Sequence, residues 1–171
     1  MTPFIDSLKQ NCIEFANIVS AEGHDCRLGL VGFGDVELNE PIEVFPPTDD
    51  LSGFRNKVGN LQVTGGGDNP ESSVEALRRA MTIPFRDGAR VCLVHITDAD
   101  CHNTDQLPQI ARQLKDRAIT TYVVSSDEFA NLYTRLCNDG GEFFSIEDAG
   151  FAEILDNVAK SIVNEIRYGQ G

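Results

Sequence analysis

Apolar residues recur along the chain with two different periods, and these periods predict which segments are helices and which are strands. Thr2-Pro3 begins a helical segment, because Thr is a good N-cap and Pro suits the first helical position. Residues 90–97 instead form a nearly continuous apolar run, which is typical of a strand covered on both faces. The first helix is predicted from a single apolar stripe made of Ile5, Leu8, Cys12, Phe15, Ala16 and Val19.

Helices and strands are expected to alternate through most of the chain. Pro46-Pro47 is expected to end a short strand, which we therefore place at a sheet edge. The alternation predicts a three-layer, doubly wound α/β fold, with a mostly parallel sheet flanked by helices, in a single domain of 171 residues. The expected helices cover 51–61, 72–81, 105–117, 129–137 and 151–166, and the expected strands cover 27–35, 42–45, 119–124 and 143–144.

The net charge of −13 narrows the range of partners. Phosphate groups would be repelled at long range, which argues against nucleic acid and anionic membranes. The chain has five cysteines, an odd number that cannot all pair within one chain, and none of them form a C-x-x-C motif. We therefore expect reduced thiols and a cytoplasmic protein. No apolar run approaches the ~20 residues that a membrane span needs.

Two loops concentrate chemistry-bearing residues. The first, VTGGGDNPE over 63–71, brings Thr64, Asp68 and Glu71 together beside three glycines. The second, TDADCH over 97–102, places Asp98 directly after the most apolar strand. Carboxylate and hydroxyl oxygens are hard ligands of the kind that Mg²⁺, Mn²⁺ and Ca²⁺ prefer. Sites in such folds form at the carboxyl ends of strands, so both loops are candidate ligand sources.

Together, HITDADCH and GGGDNPE resemble two loops of the von Willebrand factor A family, and RLGLVGFGD resembles its second strand. The resemblance implies a protein-interaction module, not an enzyme. In such a module an acidic side chain of the partner completes the coordination of a bound divalent cation. It puts Asp98 at the aspartate of the family's metal-ion-dependent adhesion site. Glu71 is the preferred ligand from the glycine-rich loop, because Asp-Asn-Pro-Glu is similar to the Asp-x-Pro-Glu of integrin β-subunit domains, and Asp68 and Thr64 are alternatives.

The chain departs from the family at its first strand and the D-x-S-x-S loop, neither of which occurs in this sequence. Asp6-Ser7 does not replace that loop, because both residues fall inside the first helix. In the family this strand lies centrally, between the second and fourth strands. Its absence predicts open strand edges, a groove in the core, weaker metal binding and self-association through the exposed edges. Truncation, a misplaced start and a strand supplied by another chain all remain open explanations.

Two other functions compete with metal-dependent binding. A phosphatase of the haloacid dehalogenase type would use Asp98 and Asp100 as a D-x-D pair with Mg²⁺, and Ser125 would bind phosphate. The mid-chain position of D-x-D and the unexplained glycine loop count against it. A metal-free scaffold domain is the second alternative. A zinc site is disfavoured because Cys92 and His95 are three residues apart on a strand and so point to opposite faces.

Overall fold

The computed structural model describes residues 2–22, 25–61, 70–146 and 150–168, in which helices and strands alternate. The strands are β1 (Leu28–Gly32), β2 (Glu43–Thr48), β3 (Val91–Ile96), β4 (Ile119–Ser125) and β5 (Phe143–Ser145). The helices are α1 (Thr2–Glu22), α2 (Leu51–Gly59), α3 (Ser73–Met81), α4 (Leu107–Asp116), α5 (Ala130–Tyr133) and α6 (Phe151–Tyr168).

The strands of the described residues form two separate sheets. β3, β4 and β5 pair in parallel with β4 in the middle, as the predicted fold class requires. β1 pairs only with β2, in an antiparallel hairpin with a register shift between Leu28 and Leu30. The α/β fold is thus confirmed, but its sheet is divided between β1 and β3.

Helices cover the parallel sheet on both faces, which gives three layers. On one face, α3 and α4 pack against Val91 and Leu93 of β3. On the other face, α1 and α6 pack against Val94 and Ile96. All seven residues of β4 are buried, because this strand has a paired strand on each edge and helices on each face. None of the helices in the described part of the chain combines the length and apolarity that a membrane crossing needs.

Two predicted elements differ from the structure. β2 runs through Pro46-Pro47 to Thr48, so the prolines do not end it. Prolines are tolerated here because β2 is an edge strand. On its unpaired side no neighbouring strand needs an N–H donor, so the missing N–H costs no hydrogen bond there. The predicted helix over 129–137 is divided into α5 and two flanking 3₁₀ turns. Tyr133 and Leu136 are both fully buried, and a 3₁₀ turn brings residues three apart onto one face.

Candidate functional site

Three segments meet at the carboxyl edge of the sheets, and their backbones are tied together by hydrogen bonds. The segment before α3 is joined to the loop after β1, because the Ser72 N–H donates to the Gly34 carbonyl over 3.1 Å. The Ser72 hydroxyl in turn accepts the N–H of Val36 over 3.0 Å. Ser72 is completely buried, so these bonds are shielded from water and fix the two segments against each other.

Glu71 is held against the loop that follows β3. Its N–H donates to the Asp100 carbonyl over 3.0 Å, and its carbonyl accepts the N–H of His102 over 2.9 Å. These two bonds make Glu71 and Cys101 an isolated parallel bridge outside the main sheets. The backbone at Glu71 therefore holds the α3 entry beside the loop that carries Asp98.

The side chain of Glu71 lies in an acidic environment. Burial raises the pKa of this carboxyl above its usual value, and the negative charges of Asp98, Glu40 and Asp35 raise it further. Glu71 is half-buried, whereas Asp98 is exposed. The loop after β1, the segment before α3 and the loop after β3 thus all place carboxylates at one edge of the molecule. A bound cation would reduce the repulsion between these negative charges.

Asp35 and His102 link the loop after β1 to the loop after β3. The His102 Nε2 lies 3.2 Å from Asp35 Oδ1, and Oδ1 also accepts the N–H of Glu37 over 2.8 Å. Burial works to raise the pKa of Asp35, but the Glu37 N–H and His102 outweigh it, and the pKa is lowered. The His102 ring is half-buried against Asp35, so this side chain joins the two loops.

A buried tyrosine supports the loop that carries Asp98. The Tyr133 hydroxyl donates to the Ala99 carbonyl over 2.8 Å and lies 3.3 Å from Ser73 Oγ. The Ala99 N–H donates to the Thr97 hydroxyl over 3.2 Å, which closes the turn around Asp98. Sequence reasoning missed Tyr133, since its contacts lie more than thirty residues away along the chain.

Two of the four predicted metal ligands lie in the described part of the chain. The structure brings the segments that carry them, Glu71 and Asp98, to the same edge, and their role as ligands stays a prediction. Asp68 and Thr64 lie outside the described residues, so their roles stay predictions. Within the residues that are described, no three or more His, Cys, Asp or Glu side chains are placed to hold a metal ion together. Asp35 lies in the loop after β1, as Asp98 lies in the loop after β3. The rule that functional residues follow strands could therefore have identified Asp35 as well.

The geometry favours neither the phosphatase nor the zinc alternative. Ser125 is completely buried, which keeps its hydroxyl away from a phosphate at the surface. One carboxylate oxygen of Asp100 accepts the N–H of Cys101 over 2.7 Å. Cys92 packs toward α1 and α6, whereas the His95 ring meets Tyr133 edge to face, so the two side chains point to opposite faces as expected.

Comparison with known proteins identifies the family. A model of the von Willebrand factor A domain matches residues 16–146, and the chain therefore belongs to this family. A search for similar sequences among curated proteins gave no match.

Solved structures with the same fold share little sequence with this chain. The vWA domain of SpRpn10 superimposes with a TM-score of 0.68 and 13% identity, over 89% of this chain and 82% of that one. BatB from Bacteroides thetaiotaomicron, a conserved hypothetical protein, gives a TM-score of 0.70 and 12% identity, over 95% of this chain and 88% of its own. At such identities the likeness shows the fold alone.

A third similar structure is proximal thread matrix protein 1 from the mussel byssus. It superimposes with a TM-score of 0.75 and 12% identity over 95% of this chain. This chain spans 43% of that protein's length. Another structure of the mussel protein, with a TM-score of 0.73 and 13% identity, has a zinc-occupied metal-ion-dependent adhesion site.

Proposed function

We propose that this domain is a protein-interaction module without enzymatic activity, which binds its partner at the carboxyl edge through a divalent cation. The observation that carries the proposal is the half-buried Glu71 carboxyl, whose pKa is raised by burial and by the negative charges of Asp98, Glu40 and Asp35. Mg²⁺ and Mn²⁺ are the expected ions, with Ca²⁺ as a further candidate, because the ligands are hard oxygens. An acidic side chain of the partner protein would complete the coordination.

The residues at this edge fit a cation in part. Glu71 and Asp98 would supply two carboxylates, and Asp68 and Thr64 are the proposed sources of further oxygens. Asp35 already accepts the Glu37 N–H and contacts His102, so its role is to position the loop. The cation would supply positive charge, which offsets the repulsion between the carboxylates and attracts the carboxylate of a partner.

The charge and the thiols support the rest of the proposal. With a net charge of −13, the domain would bind a protein and neither nucleic acid nor an anionic membrane. Free-thiol cysteines fit a reducing compartment, and we therefore propose the cytoplasm. A metal-free scaffold remains the second candidate, favoured by the small number of ligands within the described residues.

Thermal melts in EDTA and in millimolar Mg²⁺ or Mn²⁺ test the proposal. Binding to the folded state alone stabilises it by about 2.7 kcal/mol at 100 times the dissociation constant. We expect the melting temperature to rise with metal, and Asp98→Ala to abolish the rise. Asp87→Ala is the matched control, because Asp87 is an exposed carboxylate in the turn before β3, at the opposite end of that strand. It should leave the metal effect intact.

Glu71→Gln gives a sharper readout, because the cation should reverse the sign of its effect. Without metal, the amide removes a half-buried carboxylate from an acidic environment, so the variant should melt about 2 °C higher than wild type. With metal, the variant loses a ligand and should melt lower than metal-bound wild type. If neither ion changes the melting temperature of the wild-type protein, the result favours the metal-free scaffold instead.

A further inference from the structure

Large apolar side chains are exposed at two places in the described part of the chain. The first is the hairpin of β1 and β2, where Val36, Leu38 and Val44 are 40%, 54% and 42% exposed. The second is the loop before β3, where Phe85 is 36% exposed. Single exposed apolar residues are common on protein surfaces, but three within one hairpin mark a candidate contact surface.

The two places lie at opposite ends of the strands. Beyond the carboxyl ends of β1 and β3, Asp35 meets His102 over 3.2 Å. Before their amino ends, the Arg86 guanidinium donates to Asp25 Oδ1 and to the Asp25 carbonyl, over 2.7 Å in each case. β3 is six residues long, so about 20 Å separates these ends. The two ends of one molecule therefore cannot touch each other, and contact between them needs a second copy.

The exposed apolar side chains at the carboxyl end are surrounded by negative charge. Residues 35–50 contain six carboxylates and no lysine or arginine. Glu37 and Glu43 are both exposed, and each is next to an exposed apolar residue in the chain. We call the surface formed by Val36, Glu37, Leu38, Glu43 and Val44 the acidic end.

Hydrogen bonds hold the loop of the acidic end in one conformation. The Asp35 carbonyl accepts the N–H groups of Leu38 and Glu40 over 3.1 and 3.0 Å. Asn39 adopts a left-handed φ of 65°, and its N–H donates to the Val36 carbonyl over 3.2 Å. Because the loop is already ordered, packing against a second molecule costs little conformational entropy.

The exposed aromatic ring at the amino end is instead surrounded by arginines. Residues 78–90 contain four arginines and one aspartate, although the whole chain has a net charge of −13. Arg79 lies in the last turn of α3, and Arg90 directly precedes β3. Both are exposed, as is Arg86 beside the ring. We call the surface formed by Arg79, Phe85, Arg86 and Arg90 the basic end.

We propose that the acidic end of one copy binds the basic end of a second copy. Val36 and Leu38 pack against Phe85, and the arginines face Glu37 and Glu43, so apolar and charged groups both find complementary partners. The net charge does not prevent this contact, because exposed charges farther apart than ~8 Å are largely screened at physiological ionic strength. Each added copy leaves one acidic and one basic end free, so the assembly grows head to tail. This contact does not depend on the proposed cation.

Three variants with the same change in charge test the contact. Leu38→Asp alters the acidic end and Phe85→Asp the basic end. Gln113→Asp is the matched control, because Gln113 is exposed on α4, away from both ends. Sedimentation equilibrium in EDTA measures the average mass of each protein from micromolar to millimolar concentration. Circular dichroism checks that each variant melts as wild type does.

We expect wild type and Gln113→Asp to associate increasingly with concentration. Leu38→Asp and Phe85→Asp should each lower the association constant by about tenfold or more, the equivalent of one lost apolar contact. A wild-type protein that stays monomeric throughout, or that stops at a dimer, would overturn the proposal. Unchanged association of both variants would overturn it as well, because it would place the contact elsewhere, for example at exposed strand edges.

An equimolar mixture of Leu38→Asp and Phe85→Asp gives the most specific result. The first variant keeps an intact basic end and the second an intact acidic end. The mixture should therefore form a dimer that does not grow further, although each variant alone is monomeric at the same concentration. A mixture that associates no better than its two components would show that these two surfaces do not bind each other.

Discussion

β4 of the parallel sheet and β1 of the β1–β2 hairpin are buried to different degrees. β4, with the sequence ITTYVVS, is buried at every position although three of its residues carry hydroxyl groups on short side chains. β1, with the more apolar sequence LGLVG, has no buried residue. The difference lies in the neighbours, because β4 is paired on both edges and β1 on one. Burial in this domain therefore depends on pairing partners more than on the strand's own hydrophobicity.

The largest difference between the two regions should appear in matched leucine truncations. Leu114→Ala removes a fully buried side chain from the cluster under the parallel sheet and should cost about 2–5 kcal/mol. Leu30→Ala removes a half-buried side chain from β1 and should cost about half as much, since less apolar area leaves water. Urea unfolding of both variants measures this. Equal losses would show that the hairpin is as tightly integrated as the parallel sheet.

Acidification should weaken the region around β3 through His95. Burial lowers the pKa of His95 from 6.5 to about 4, and within the described residues its Nε2 has no hydrogen-bond partner. The unfolded chain binds this proton below pH 6.5 and the folded protein only near pH 4, so stability falls as the pH drops through that interval. The loss should reach about 3 kcal/mol.

The variant His95→Phe checks this assignment. Phenylalanine keeps a ring beside Phe33 and Tyr133 but does not titrate. Unfolding free energies between pH 7 and pH 4 should therefore fall less steeply in the variant than in wild type. Glu71 acts in the opposite direction, because its raised pKa makes stability fall as the pH rises above 4.5. An unchanged slope in His95→Phe would assign the acid sensitivity to another group.

Tyr133→Phe should produce a smaller effect that reaches both loops of the candidate site. The change removes the hydroxyl that donates to the Ala99 carbonyl and contacts Ser73. An unsatisfied buried carbonyl costs about 1–3 kcal/mol. Chemical denaturation measures that cost. We also expect a smaller rise in melting temperature with Mg²⁺ or Mn²⁺ than in wild type, which thermal melts over a metal titration measure. A variant with normal stability would indicate that water replaces the hydroxyl.

The smallest effect is expected at the stack that joins the two regions. Phe33→Leu keeps an apolar side chain after β1 but loses the ring that stacks on His95. Such an aromatic pair contributes about 0.5–1.5 kcal/mol beyond its buried area. Hydrogen exchange should show faster opening of β1 and no change in β4. Equal acceleration in both strands would mean that the sheets open together.

The sequence alone determined much of the local structure of this protein. The apolar stripe from Ile5 to Val19 and the apolar run over 90–97 predicted α1 and β3, because the period of apolar residues follows from the geometry of each element. Asp98 was predicted to lie at the carboxyl edge of the sheet, because it directly follows the apolar run that forms β3. The resemblance of HITDADCH and GGGDNPE to two loops of the von Willebrand factor A family implied the fold, and the family match confirms it.

Only the tertiary structure decided which elements lie next to each other and which residues come into contact. Open strand edges were predicted, but the structure alone shows that, among the described strands, β1 pairs with β2 and the sheet is divided between β1 and β3. The contact between His102 and Asp35 and the support from Tyr133 join residues far apart in the chain. The raised pKa of Glu71 has the same origin, because burial and nearby charge are properties of the folded arrangement.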